Sequence, residues 1–466
     1  MGRNEALAKI DTYFHDGMFE AELARRVAYR TESVRPDSGP ALTAYLDEDL
    51  IPYLTDIGFE CETYCNPCAD AGPILVARRQ ESDNLPTVMT YGHGDVVPGF
   101  DDQWDDGVDP WVITKVGNRW YGRGTADNKG QHTINLAALK TVLETRGALG
   151  FNVIILIETG EERGSPGLKE FCSANKQLFS ADVFIASDGP RLHPDKPTIF
   201  MGTRGVFNFT MRLDVHAGGH HSGNWGGLLT NPGVVMAHAI ASMIDRNGKI
   251  LVEGWRNTHI PNSVRAAIAK LEVGGGENAP TMNPNWGEPD MTPAERVFAS
   301  NTFEVRAYET GNPQSPANAI PPSAVAYGHL RYVVGTDVNQ LMSLLRDHLD
   351  KHGFTNIELI SERDMMYATR LDPDHPWAQW AVASLRHTHE ADIAVIPNLG
   401  GSLPNEVFAD VLGLPTIWVP HSYAGCSQHA PNEHILEATT HSALRLMTGL
   451  WWDLGDGNTP FTTASL

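Results

Sequence analysis

The sequence predicts an α/β protein: a mostly parallel sheet carrying an inserted, smaller α+β block. Three observations predict it. Apolar runs of strand length, such as Phe151-Asn152-Val153-Ile154-Ile155-Leu156-Ile157, alternate with stretches of helical periodicity. Near-continuous hydrophobicity of this kind marks strands covered by helices on both faces. Residues 206–215 instead alternate, with Val206, Asn208, Thr210, Arg212 and Asp214 on one side and Phe207, Phe209, Met211, Leu213 and Val215 on the other. That is the pattern of a half-buried antiparallel strand. Finally, 466 residues exceed what one hydrophobic core usually covers.

The elements follow in order. Residues 41–54 space Leu42, Tyr45, Leu46, Leu50 and Tyr53 as one helical face, and Gly58 is a suitable stop. Residues 59–64, 72–77 and 86–90 read as strands, followed by a helix over 128–145 closed by Gly147. The apolar strand 151–157, a helix over 167–175 and the apolar strand 181–186 complete this run. After Arg204 come the alternating strand, a helix over 232–244, and a loop over 274–293 rich in Gly, Pro and Asn. Strands 302–308 and 324–332, a helix over 338–351 and strand 357–361 then give a βαββαβ order. Parallel-sheet character returns with a helix over 376–387 and strands 393–397 and 415–420. The expected division is one domain of residues 1–203 and 364–466, interrupted by a second of residues 204–363.

Composition narrows the function classes. With 35 basic and 57 acidic residues the net charge is −22, which repels a phosphate backbone and argues against nucleic acid as a partner. No apolar run approaches the roughly 20 residues that span a bilayer, so no membrane association is expected. Residues 1–5 lead into a polar amphipathic stretch rather than a secretory core, so a cytoplasmic location is expected. Ala6 occupies the position where a myristoylation signal carries Ser or Thr. Five cysteines are an odd number for a disulfide framework. Cys65-Asn66-Pro67-Cys68, with Cys61 nearby, has no second Cys or His pair beside it and reads as ordinary thiols, while Cys172 and Cys426 read as small buried hydrophobes.

Chemistry concentrates in five short segments. Gly92-His93-Gly94-Asp95, Glu158-Thr159-Gly160-Glu161-Glu162 and Ser187-Asp188-Gly189 each follow a predicted strand. In open α/β sheets ligands collect outside the carboxyl ends of strands. Asp127 precedes the 128–145 helix, whose N-terminus favours an anion. Gln428-His429-Ala430-Pro431-Asn432-Glu433 adds a second His. Each residue alone has an ordinary reading as a cap or a solvated charge, but their convergence at element ends points to metal. Two divalent ions need a shared carboxylate and ligands on either side. Asp127 is the natural bridge, with His93 and Asp188 completing one half and Glu162 and His429 the other. Asp95 can accept the far imidazole N–H of His93 and fix its tautomer. Glu161 is then left over as a base that takes a proton from water and returns it to a leaving amine. Mixed N/O ligands suit zinc, with manganese or cobalt as alternatives.

These motifs resemble those of the M20 family of di-zinc metallopeptidases and amidohydrolases, over nearly the whole chain. The family's His-x-Asp corresponds to His93-Gly94-Asp95, its Asp-x-Lys-Gly to Asp127-Asn128-Lys129-Gly130, and its Glu-Glu to Glu161-Glu162. Its later acidic ligand corresponds to Asp188 and its C-terminal His to His429. Glu161-Glu162-Arg163-Gly164-Ser165, Gly202-Thr203-Arg204-Gly205 and His221-Ser222-Gly223-Asn224-Trp225-Gly226-Gly227 are most similar to the carnosinase-like dipeptidase branch. The resemblance implies a lid domain that dimerises, and a His, here His221, that polarises the substrate carbonyl in the neighbouring subunit's site. His216 and His220 compete for that role. It also implies substrate contacts at Asn318, in Asn318-Ala319-Ile320-Pro321, at Arg331, and at Gly401 and Ser402 of Gly400-Gly401-Ser402-Leu403-Pro404. Arg331, with its planar fork, would grip a substrate carboxylate.

The chain departs from the branch at Asn128, where carnosinases carry Asp, in a longer Trp104-to-Pro110 spacing, and around 274–293. The expectation is a homodimeric hydrolase of a small carboxylate-bearing dipeptide, dependent on two divalent ions. An N-acyl- or N-carbamoyl-amino-acid deacylase or desuccinylase with the same metals is the alternative. A non-catalytic metal-binding interaction protein is the alternative of another class.

Overall fold

A computed structural model describes residues 2–257, 259–274, 280–362, 365–389 and 392–461. The expected domain boundary at 363/364 and part of the 274–293 loop lie outside the described residues. An eight-stranded sheet runs in the order Glu60–Tyr64, Ile74–Arg79, Asn152–Glu158, Thr87–His93, Val183–Ala186, Thr416–Trp418, Thr198–Phe200, Ala394–Ile396. Its centre is parallel: Thr87–His93 pairs in parallel with Asn152–Glu158 and Val183–Ala186, and Val183–Ala186 with Thr416–Trp418. The edge formed by the first two strands is antiparallel.

All seven residues of Asn152–Glu158 are buried. Val153, Ile155 and Ile157 enter one core, and Ile154 and Leu156 enter another on the opposite face. The period-two pleat therefore divides one apolar run between two helical layers. Helices Arg3–His15, Lys129–Arg146 and Glu437–Leu454 pack together on one of these faces. The helix expected over 41–54 is present but broken into Gly39–Ala44, a wide π turn at Tyr45–Leu50, and Ile51–Asp56. Pro52, which has no N–H to give to the preceding turn, accounts for the break.

A second sheet of four antiparallel strands has the order Thr302–Thr310, Ser323–Tyr332, Gly205–Asp214, Glu358–Ser361. With helices Pro232–Met243 and Leu341–Lys351 it realises the βαββαβ order. Phe207, Phe209, Met211 and Leu213 pack with Phe303, Leu330, Trp255 and Leu345 on the helix-covered face. The alternate residues, including Val206 and Asn208, point away, with Val206 opposite Arg331 and Asn208 opposite His329. A β-bulge between Val305 and Ala307 leaves Arg306 without a partner in the register. Among the described residues no helix is long and apolar enough to cross a membrane.

Candidate metal centre and substrate cleft

Each expected ligand reaches the site from the end of an element. His93 is the last residue of Thr87–His93, Glu161 opens a 3-10 turn just after Asn152–Glu158, and Asp188 lies two residues beyond Val183–Ala186. Asp127 precedes Lys129–Arg146, whose start needs Gly130: a Cβ there would lie 1.9 Å from the Thr125 carbonyl oxygen. His429 comes from a loop and has φ +62°, in the left-handed region that non-glycine residues seldom enter.

Among the described residues, two groups of side chains could hold an ion: His93, Asp127 and Asp188, and Asp127, Glu162 and His429. Asp127 belongs to both. Its Oδ1 lies 2.9 Å from His93 Nε2, and its Oδ2 lies 2.9 Å from His429 Nε2. Asp188 Oδ2 is 3.6 Å from His93 Nε2, and Glu162 Oε2 is 3.1 Å from His429 Nε2. Glu161 is in neither group, with its Oε2 at 3.9 Å from His93 Nε2. Asp95 works in two directions. Its Oδ1 lies 3.4 Å from His93 Nδ1, and its carboxylate accepts the backbone N–H groups of Glu161 and Glu162 at 3.2 and 3.1 Å.

The donor set fits two divalent cations. Glu162 Oε1 and Asp188 Oδ2 are buried without a hydrogen-bond partner, which is costly for a carboxylate unless a cation completes it. The separations between donors are those of ligands arranged about one ion at roughly 2.0–2.2 Å. Electrostatics agree. Burial, and then Asp127, push Asp188 up to about 6 and Glu162 up to about 7. Burial holds Glu161 well above the usual carboxyl range; His93 opposes this, and Asp188, Glu162 and Asp127 reinforce it. Asp127 and Glu162 pull His429 up to about 11. For His93 burial works downward, but Asp127 and Asp95 outweigh it and hold the ring well above its ordinary value. Crowded acids sharing protons with two histidines are what divalent cations would relieve.

The site opens into a cleft of about 440 Å³. Glu161, Glu162 and His429 form one wall, and Asn208, Arg306, His329 and Arg331, from the outward face of the four-stranded sheet, form the other. Ser402 also lines it and accepts from Arg331 Nη1 at 2.6 Å, while its hydroxyl donates to the Arg204 carbonyl. Arg204 Nε in turn donates to the carbonyl of Gly400, so Gly401 lies between two anchored neighbours. His221 and Asn318 are not in this cleft. His221 is exposed in a short antiparallel bridge, opposite Ala319, and the Asn318 carbonyl accepts from the Ser222 N–H. His216 and His220 stack edge to face beside them. Cys61 and Cys68 are partly buried and Cys65 is exposed; Cys172 and Cys426 are buried, as expected.

Several residues of the site escaped the sequence reading. Glu433 is buried and accepts from the N–H groups of Gly124, Ala126 and Asp127 and from Arg123, so it clamps the Asp127 loop to the His429 loop. Gln428 donates to Asp127 Oδ2. Glu433 stood in a quoted motif, but its partners lie more than 300 residues away and no local pattern reveals them. Asn208 stands among the outward residues of the alternating strand, and nothing in the sequence pattern marks Arg306 or His329.

The sequence profile of Peptidase family M20/M25/M40 matches residues 89–453. The chain is 27% identical over 361 residues to a cysteinylglycine-S-conjugate dipeptidase of Corynebacterium striatum, covering 75% of this chain and 76% of that protein. It is 30% identical over 439 residues to a Cys-Gly metallodipeptidase of Candida albicans, covering 87% of each. Among solved structures, an M20 family metallo-carboxypeptidase from Sulfolobus solfataricus superimposes with a TM-score of 0.79 at 24% identity, over 94% of this chain and 99% of that one.

Proposed function

Because the chain belongs to peptidase family M20/M25/M40 and is a hydrolase of peptide bonds, we propose that it is a dinuclear metallo-dipeptidase with Glu161 as its base. One observation carries this reading: the two oxygens of Asp127 each face a different histidine at 2.9 Å, while Glu161 stands beside them outside both ligand groups.

His93, Asp188 and one oxygen of Asp127 would hold the first ion, and Glu162, His429 and the other oxygen the second, with zinc best suited to the mixed N/O donors. Two such ions supply an acidified water, with a pKa lowered towards about 7, and polarise the scissile carbonyl. Glu161 takes the proton of the attacking water and returns it to the departing amine nitrogen. Its buried carboxyl, beside His93 and outside both ligand groups, is placed for both halves of that task. Asp95 holds His93 and the Glu161-Glu162 turn in register. Arg331 and Ser402, with the Gly401 backbone, bind the substrate's terminal carboxylate.

In the same reading residues 204–363 act as a lid, and two copies associate through it so that His221 and Asn318 serve the partner's cleft. Support comes from the exposure of His221 next to Trp225 and Leu228, 46% and 76% exposed, an apolar surface suited to a second copy. Free thiols at all five cysteines suit a cytoplasmic setting.

The test assays metal-loaded protein on dipeptides and N-acyl amino acids, beside Glu161→Gln. Dipeptide cleavage is expected, abolished in the variant while both metals stay bound. Cleavage of acyl substrates alone would transfer the reading to a deacylase. Inertness towards both sets with metals loaded would transfer it to a non-catalytic scaffold.

A further inference from the structure

We infer that the lid wall of the cleft carries a second anion subsite, built on Arg306 with His329, which selects dipeptides whose C-terminal residue is itself acidic. This inference rests on the dipeptidase reading and goes on to name its substrate class.

The placement follows from the sheet. Outward positions of the four-stranded sheet alternate with core positions, so Asn208, His329 and Arg331 share the face that lines the cleft. Thr302 and Glu304 stand opposite Arg331 and His329, so the alternation puts Arg306 on the same face. The bulge between Val305 and Ala307 leaves it without a cross-strand partner, and it lines the same cleft. Thr302 pairs with Arg331, and Arg306 lies just past the Val305–Gly328 pair, so the two arginines stand three to four residues apart along the sheet, roughly 10–13 Å. Two long side chains converging from that spacing can grip both carboxylates of one residue.

The two guanidiniums differ in what already holds them. Arg331 hydrogen-bonds the Ser402 hydroxyl, and among the described residues no carboxylate lies within ion-pair distance of it. It is committed to the terminal carboxylate. Arg306 pairs with Glu362, both about one-third exposed, a pairing weak enough to rearrange around an incoming anion. The other acid on this wall, Glu304, stands opposite His329, where Arg204 offsets it. His329 reports the local field: burial, then Arg331, Arg306 and Arg204, push it down to about 4. It is therefore neutral at pH 7 and offers one N–H donor in a positive environment. Asn208, opposite it, has a buried amide oxygen without a partner. Turned over, that amide presents its NH2 to the same point.

The experiment compares kcat/KM for Ala-Glu and its neutral isostere Ala-Gln on the metal-loaded protein. A second charge-assisted contact predicts a preference for Ala-Glu of about tenfold or more. Arg306→Gln should bring the ratio near one, and Glu362→Gln, which frees Arg306 from its internal acid, should raise it. Equal rates in the wild type, a ratio unchanged in Arg306→Gln, or a preference confined to an acidic N-terminal residue such as Glu-Ala overturns the subsite. Should no peptide be cleaved, it is the dipeptidase reading that fails. Calorimetry with L-glutamate and L-glutamine then decides the subsite, and equal affinities overturn it.

Discussion

Arg123 and Glu433 form an ion pair at 2.7 Å with both side chains sealed from solvent, 0% and 1% exposed. The pair fastens the loop of Asp127 to the loop of His429, both in the candidate ligand groups. Glu433→Ala therefore leaves a buried guanidinium unpaired, at an expected cost of about 3–5 kcal/mol. Metal content per chain should fall together with the thermal midpoint. Full occupancy in a merely destabilised variant would show that the clamp serves the fold alone.

Glu161→Gln removes the proposed proton carrier and leaves both candidate ligand groups intact. Turnover should fall by about 10²–10⁴-fold. Metal analysis of the purified variant should still find two ions. Turnover at the wild-type rate would dismiss Glu161 as the base.

Gly130→Ala places a methyl group 1.9 Å from the Thr125 carbonyl oxygen, so the start of the Lys129–Arg146 helix must shift, and Asp127 with it. Overpacking of this kind costs about 1–3 kcal/mol. Activity should be lost along with metal affinity, measured by competition with a chromophoric chelator. Unchanged affinity would mean that the helix start accommodates the methyl group without moving its ligand.

Glu406 gives a pH signature. Burial is the main cause that pushes its carboxyl from 4.5 up to about 7, and Glu406 Oε2 has no partner. A raised acid pKa means that the folded state holds the proton between pH 4.5 and 7 while the unfolded state releases it. The cost of ionisation thus grows as pH rises through that window and is complete above pH 7. Glu406→Gln should gain about 1–3 kcal/mol at pH 8 and almost nothing at pH 4.5. Denaturant titrations at the two values measure this. A gain of the same size at both would refute the assignment.

Chelation should destabilise the protein, since removing the cations leaves Asp127, Glu161, Glu162 and Asp188 to face one another. At a hundredfold excess over the dissociation constant, each bound ion contributes about 2.7 kcal/mol. Thermal melts with and without chelator should differ in proportion to the metal restored. Coincident melts would count against a structural contribution from the ions.

The site was legible where chemistry is local to an element's end. His93, Asp127, Glu161, Glu162 and Asp188 each adjoin an apolar run or a helix start, and the rule for open sheets brings such ends together. The alternating strand of residues 206–215 likewise disclosed which face would be covered. Other features depend on distant partners. Glu433 matters through Arg123 and the Gly124–Asp127 amides, and no periodicity connects them. The π turn at Tyr45–Leu50 left the apolar spacing intact, so the helix read as unbroken. Arg306 escaped because an outward arginine on a strand is an ordinary solvated residue, and only the cleft it lines singles it out. His221 and Asn318 were placed in a catalytic site by resemblance, and within one chain they lie outside the cleft.

Asp127 and His429 are separated by 302 residues, although their side chains stand 2.9 Å apart. During synthesis the ribosome delivers the first half-site long before the second. A nascent or prematurely terminated chain thus presents His93, Asp127 and Asp188 without the partner loop, and with them at most a single-ion site. The second candidate group, Asp127 with Glu162 and His429, is thus complete only once the His429 loop has been made, 302 residues after Asp127.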